Sequence, residues 1–349
     1  MRADNRRMRF YKSLSPKAIG ISAAVITIII WTSFIIIARA TTDPARGPTL
    51  LPLDIVLARI LGAALVLLPW GWWLVRRDRQ LGNGKASSLL GLSPQSLKIT
   101  VTTGLFGGLL YGMLAYSGFA FAPAAHASVL LPGSLPLWTS LLAILLLRDH
   151  LTRNRSISLF LILGGDLLVG GASLLLAFDG GVVWKGDVLF MMGALAWSIY
   201  SVLARKYALD AVRATIAITV FAFVVYVPVY GALIAAHLVP SQFSTAPWGD
   251  IVFQMFFQGC LSVVISGITF TKMVQYFGLV RATMFTAVVP GSSALGAVYF
   301  LGEPLTWNLW VGLALVTVGI LFGVRRAKLP GPASDLKASA AVSARSLKT

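Results

Sequence analysis

The chain has 349 residues, of which 57% are hydrophobic and only 12% charged, a balance that excludes a water-soluble fold with a polar surface. Its net charge of +17 would suit nucleic acid if Lys and Arg gathered on one folded face. They lie between apolar runs instead, so no nucleic-acid partner is expected, and the single cysteine, Cys260, excludes an intramolecular disulfide and a four-cysteine metal site.

Ten apolar windows of spanning length follow, at residues 18–39, 54–74, 99–121, 126–147, 157–178, 185–204, 214–237, 251–274, 280–301 and 307–324. Each is continuous rather than alternating, which predicts helices and not barrel strands. The first follows a basic N-tail, residues 1–17, and ends in Ala38-Arg39-Ala40, a signal-peptidase-like site. It is longer than the roughly 7–15 apolar residues of a signal peptide, so it reads as a retained span, with Trp31 deep inside it.

Helix two carries Arg59 about five residues from its outer end, a depth of ~8 Å. Two readings stand for it: a cation facing a cavity, ready for a substrate carboxylate, or a long side chain snorkelling to the interface. Trp70, Trp72 and Trp73 read as an interfacial belt at the inner end of the same helix. Tyr111 and Tyr116 lie on helix three, which the short loop 122–125 joins to helix four as a tight hairpin.

Pro132 and Pro136 break helix four, Pro290 breaks helix nine, and Pro69 and Pro228 interrupt helices two and seven. Carbonyls freed at membrane depth are tolerated only beside protein or a wet cavity, so Pro136 and Pro290, matched in the two halves, are candidate gating breaks. Asp149 and Glu303 each precede a helix and read as caps favoured by the helix dipole. Asp166, in the middle of helix five among four glycines, is either a proton-coupling group or a protonated acid bridging closely packed helices.

Trp197 and Tyr200 on helix six, and Tyr226 and Tyr230 on helix seven, join Trp31, Trp138, Tyr111 and Tyr116 as residues that line a cavity or fill a core. His126, His150 and His237 fall on three separate loops, so neither a metal site nor a general acid/base pair is expected, and no phosphate-binding loop is present. No catalytic residue, metal or cofactor is assigned. A second short loop, 275–279, makes a tight hairpin of helices eight and nine, near whose cytoplasmic end Lys272 snorkels. The Ala/Ser/Lys-rich tail 327–349 is expected to be disordered.

Of the 29 Lys and Arg, 25 fall on one side of the alternating spans and only Arg46 and Lys185 on the other. The positive-inside rule then puts both termini in the cytoplasm, with the chain as a multi-pass protein of a bacterial inner membrane.

A shift of 154 residues pairs Pro136 with Pro290, Asp149 with Glu303, Leu151-Thr152 with Leu305-Thr306 and Gly165 with Gly319. A shift of 155 pairs Gly104 with Gly259 and Gly112 with Gly267, and a shift of 166 pairs Trp31 with Trp197 and Arg39 with Arg205. The repeats are residues 18–178 and 185–326, five spans each. An odd number of spans inverts the second repeat relative to the first, an arrangement that puts a substrate site at the interface of the halves near the midplane.

The stretch Arg281 to Pro290, the run Leu301-Gly302-Glu303-Pro304-Leu305, and Gly312 with Val318-Gly319 resemble the ninth and tenth helices of the EamA-type family of the drug/metabolite transporter superfamily. Ala127 to Leu137 and Ile144 to Leu151 are similar to its fourth helix, with Leu147-Arg148-Asp149 departing from the family's L-G-E. Trp31, Trp197 and Arg59 fall where such proteins often carry Trp and Arg. The resemblance implies a ten-helix membrane fold and export or exchange of small organic solutes.

The expected function is therefore a secondary transporter, an exporter of amino-acid-like or amphiphilic metabolites. Its expected site comprises Trp31, Arg59, Tyr111, Tyr116, Trp197 and Tyr200, and its partners are the lipid bilayer and the solute, with a homo-oligomer left open. The alternative is a membrane adaptor or assembly subunit that moves nothing and presents its basic tail to partners.

Overall fold

The computed structural model of the protein describes residues 16–82, 87–147 and 152–325. Asp149, His150 and most of both tails lie outside the described residues. Among the described residues every regular element is helical, and extended chain pairs only in an isolated bridge between Ser88 and Ser93.

Eight helices are long and apolar enough to cross a membrane: α1 Ala18–Thr42, α2 Pro52–Gln80, α3 Leu97–Phe121, α4 Ala124–Leu146, α5 Arg153–Asp179, α6 Val183–Lys206, α7 Ala211–Ala235 and α8 Trp248–Met273. Two shorter apolar helices follow, α9 Val288–Leu301 and α10 Trp307–Gly323. The multi-pass membrane class expected from composition is thus met.

Backbone irregularity gathers in four helices. Turns of π-helix occupy Leu105–Leu110 in α3, Val129–Gly133 in α4, Met255–Ile265 in α8 and Ala297–Leu301 in α9. Such wide turns shift the hydrogen-bond register and are frequent at functional sites. Pro136 and Pro290 each lie in the first turn of a segment that restarts, after Ser134 and after Ala287 respectively, where a missing N–H breaks no helical bond. Pro69 and Pro228 do not interrupt their helices as expected; α2 and α7 run through them, since one lost donor is tolerated in a packed membrane helix. Helix two also continues to Gln80, so its tryptophans lie inside the helix rather than at its end, with the Arg76 guanidinium 3.7 Å over the Trp72 ring.

The loop expected at 275–279 is helical in the structure, within a segment running Ser266–Thr286. The segments on either side of it meet α1 in opposite order. Thr269 meets Thr27 and Phe277 lies against Gly20, after which Ser292 meets Thr32 and a Cβ on Gly296 would touch Ile36. These contacts run down α1 and then back up it, and the rings of Phe277 and Phe285 lie 5.2 Å apart.

Packing follows a reciprocal pattern. The α1 helix lies on α8 and α9, as α6 lies on α3 and α4, while α2 meets α3, α7 and α8 as α7 meets α8, α2 and α3. The remaining large interface joins α5 to α10 and is built on small residues. A Cβ on Gly165 would stand 2.6 Å from the Gly312 carbonyl oxygen, and one on Gly319 3.0 Å from the Ser158 carbonyl oxygen. Shifting by 154 residues turns the first contact into the second. Close backbone approach through small residues is how membrane helices gain packing where no hydrophobic drive separates helix from lipid.

Candidate functional site

In the crossing of α2, α3 and α8 the structure brings together Arg59, Tyr116, Gln258 and Ser262. The Arg59 guanidinium bonds within this crossing. Its Nη1 donates to the Tyr116 hydroxyl at 3.3 Å, to Ser262 Oγ at 3.3 Å and to the Gln258 carbonyl at 3.4 Å, and Phe34 and Tyr116 each present a ring 6.0 Å from the guanidinium carbon. These hydrogen bonds are longer than the usual 2.7–3.2 Å range, so the cation is held loosely and by neutral acceptors. No carboxylate pairs with it among the described residues.

The nearest acid in sequence, Asp54, is fully committed elsewhere. It accepts from Leu51 N, Gln242 N, the Tyr230 hydroxyl and the Ser241 hydroxyl, tying the N-terminal end of α2 to the end of α7 and the loop that follows it. Tyr226 donates to the Leu53 carbonyl and stacks on Tyr230 at 5.1 Å. Both tyrosines thus belong to this clamp, away from Arg59.

A buried relay orients the glutamine. Tyr116 donates to Gln258 Oε1 at 2.7 Å, which leaves Gln258 Nε2 a buried donor with no partner. One turn toward the N-terminal end of α8, Gln254 Oε1 is likewise buried and unpartnered among the described residues, and Gln254 lines a cavity of about 180 Å³ with Arg46, Thr49 and Asp250. Gln254, Gln258 and Ser262 form a polar stripe at four-residue spacing inside an otherwise apolar span, running from that cavity to Arg59.

The expected aromatic residues fall in two places. Tyr111 packs on Trp197 at 4.8 Å, and Trp197 packs on Tyr200 at 5.1 Å. Gly107 gives Tyr200 its room, since a Cβ there would stand 2.7 Å from the ring. Trp31 stacks on Phe270 of the other half at 5.3 Å, as Trp197 meets Tyr111 of the first half. Sequence reasoning missed Gln258, Ser262 and Phe34; the polar stripe was the signal that could have found the first two.

At the same end of the bundle as Asp54, Glu303 does not cap the helix that follows it, as the sequence suggested. Its carboxylate accepts from Ala124 N and Ala125 N at 3.0 and 3.1 Å, capping α4, and pairs with Arg39 at 3.3 Å. Arg39 in turn donates to the Phe119 carbonyl and pairs with Asp43. Arg46 adds a bond to the Leu301 carbonyl. The ends of α1, α3, α4 and α9 are thereby latched together.

His126 is not on a loop; it lies buried in the first turn of α4 with Nδ1 2.9 Å from Asp187 of α6, whose carboxylate also accepts from Ser173. The serine faces the acid and not the imidazole, so this is no nucleophile and base. Asp166 lies on a groove between α4, α5 and α6 that Asp187 also lines. No cluster of three or more potential metal ligands occurs among the described residues.

The model of the EamA-like transporter family matches residues 18–171 and 184–325. Two curated relatives are an uncharacterized transporter, YyaM, of Bacillus subtilis, 23% identical over 63% of this chain and 71% of the relative, and an uncharacterized transporter of Archaeoglobus fulgidus, 24% identical over 84% of this chain and 93% of the relative. A solved crystal structure superposes with a TM-score of 0.52 at 21% identity, covering 89% of this chain and 99% of that one, which supports the fold.

Proposed function

Because the chain belongs to the EamA-like transporter family, we propose that this membrane transporter is a ten-helix secondary carrier that exchanges a carboxylate-bearing organic solute across the membrane by alternating access. The observation that carries this reading is Arg59: a guanidinium inside a span, held by neutral acceptors at 3.3–3.4 Å and without a carboxylate partner among the described residues. A charge kept at such depth is costly, and its retention points to a ligand that completes it. Gln258, whose backbone carbonyl accepts from Arg59, also carries an Nε2 with no partner among the described residues, a second donor that a solute carboxylate could meet. The Tyr111–Trp197–Tyr200 cluster gives the apolar part of an amino-acid-like solute an aromatic wall.

The reciprocal packing of the two sets of five helices and the interchange of the Gly165–Gly312 and Ser158–Gly319 contacts support an inverted repeat, with α9 and α10 as the ninth and tenth spans. The latch of Arg39 and Glu303 supports a state closed on the outside, with Pro136 and Pro290 at the breaks where the halves would bend. Export is the direction that the family resemblance suggests, from the cytoplasmic side of a bacterial inner membrane.

Counterflow in proteoliposomes tests the function. A panel of amino acids and other small carboxylates, each paired with its methyl ester, is expected to show exchange of at least one acid and not of its ester. If no solute on the panel moves, the carrier reading fails and the adaptor reading takes its place.

A further inference from the structure

A groove of about 320 Å³ opens between α4, α5 and α6 and holds two polar groups that nothing satisfies. Both carboxylate oxygens of Asp166 and the indole Nε1 of Trp138 are buried without a partner, and both residues line this groove. The other acid on its wall, Asp187, is already matched by His126 and Ser173. Leu167, Val188 and Met192 line it too and are 62%, 45% and 49% exposed on the apolar flank of the helices, so the groove opens sideways into the bilayer.

An acid in hydrocarbon needs a donor, and an indole N–H needs an acceptor. The groove holds an unmet example of each within leucine, methionine and tryptophan walls. We propose that it is a second binding site, taking a lipophilic amine that enters from the membrane. The ammonium donates to Asp166, Trp138 Nε1 donates to an oxygen of the ligand where one is present, and the hydrocarbon part lies against Met191, Met192 and Trp184. Aromatic faces favour a cation, and the volume falls at the small end of ligand pockets. Asp166 is mid-helix, near the centre of the bilayer, which a phospholipid headgroup does not reach. The site is separate from Arg59 and opposite to it in charge preference.

The test is saturation binding of 4-phenylbutylamine, with 4-phenylbutanol as its neutral isostere, to the full-length protein in lipid nanodiscs. The amine is expected to bind saturably and at least tenfold more tightly than the alcohol, and Asp166→Asn to remove that difference. Should Asp166→Asn fail to fold, Gly171→Leu serves. Gly171 lines the groove and a Cβ there meets nothing within 4 Å, so a leucine has room to leave the backbone and is expected to occupy the groove and abolish binding. Equal binding of amine and alcohol, or saturable amine binding retained in Gly171→Leu, overturns the proposal.

Discussion

The Tyr116 hydroxyl donates to Gln258 Oε1 at 2.7 Å, and this one bond leaves Nε2 as the end of the glutamine amide without a partner among the described residues. Tyr116→Phe removes the donor and lets the amide turn, so the solute loses an oriented partner while the guanidinium stays. Loss of one such bond amounts to about 1 kcal/mol, or roughly a fivefold weaker Kd. Solute titration by tryptophan fluorescence should show that weakening with the melting temperature within a few degrees of wild type; an unchanged Kd would remove the glutamine from the site.

Arg59→Gln should be far more damaging to transport. A hydrogen bond to a charged group contributes about 1.5–3 kcal/mol, which is roughly 10–100-fold in binding. Counterflow of a carboxylate solute should fall by that factor, and Arg59→Lys should recover part of it because the charge remains without the guanidinium fork. The protein should still fold, since no buried carboxylate is stranded when the cation goes. Full activity in Arg59→Gln would show that the guanidinium only packs.

The sequence made the membrane class and most span positions legible, because hydrophobic length alone sets them. It also made Arg59 visible as a charge in a span, yet could not choose between cavity and interface. That choice depends on Tyr116, Gln258 and Ser262, which lie 57, 199 and 203 residues away along the chain. Glu303 was read as capping its own helix because local rules favour an acid before a helix start. In the fold its carboxylate reaches Ala124 and Ala125 across the molecule. The short separation at 275–279 reads as a loop between two apolar windows, but in the fold these residues are helical, within Ser266–Thr286, because helical backbone is not broken by a brief drop in hydropathy.

Glu303→Gln tests the outer latch. The variant keeps an acceptor for the α4 N-terminus but loses the ion pair to Arg39, so the outer face should open more often. With Cys260→Ser as background, a cysteine at Thr49, which lines the outer cavity, should react faster with a membrane-impermeant maleimide when Glu303 is replaced. An identical labelling rate would show that the pair does not hold the closure.

Gly165→Ala and Gly164→Ala separate close packing from helix propensity. A Cβ at Gly165 would press on the Gly312 carbonyl oxygen, whereas one at Gly164 meets only a leucine methyl at 4.0 Å. Alanine favours a helix over glycine at both positions. The first substitution should therefore lower the melting temperature by several degrees and the second should leave it level or raise it. Gly319→Ala, at the contact that a 154-residue shift makes equivalent, should behave like Gly165→Ala; a neutral Gly319→Ala would count against two equivalent contacts in this interface.

Reporter fusions after residues 90, 150, 210 and 349 should report cytoplasm, and those near 45, 180 and 245 the opposite side. The charge bias sets this orientation, because Lys and Arg in short loops resist translocation whereas Asp and Glu contribute little. The structure adds which polar clusters should share a side. Asp78 and Arg213, joined by two bonds of 2.7 and 3.0 Å, tie the ends of α2 and α7 on the face that carries the basic loops. Asp54, Asp250 and the latch of Arg39 with Glu303 lie at the other. A reporter after residue 349 that is active outside the cytoplasm would mean an odd number of crossings. The two shorter helices α9 and α10 could then not both span, the five-plus-five inversion would fail, and the site at Arg59 would lose its place between two equivalent halves.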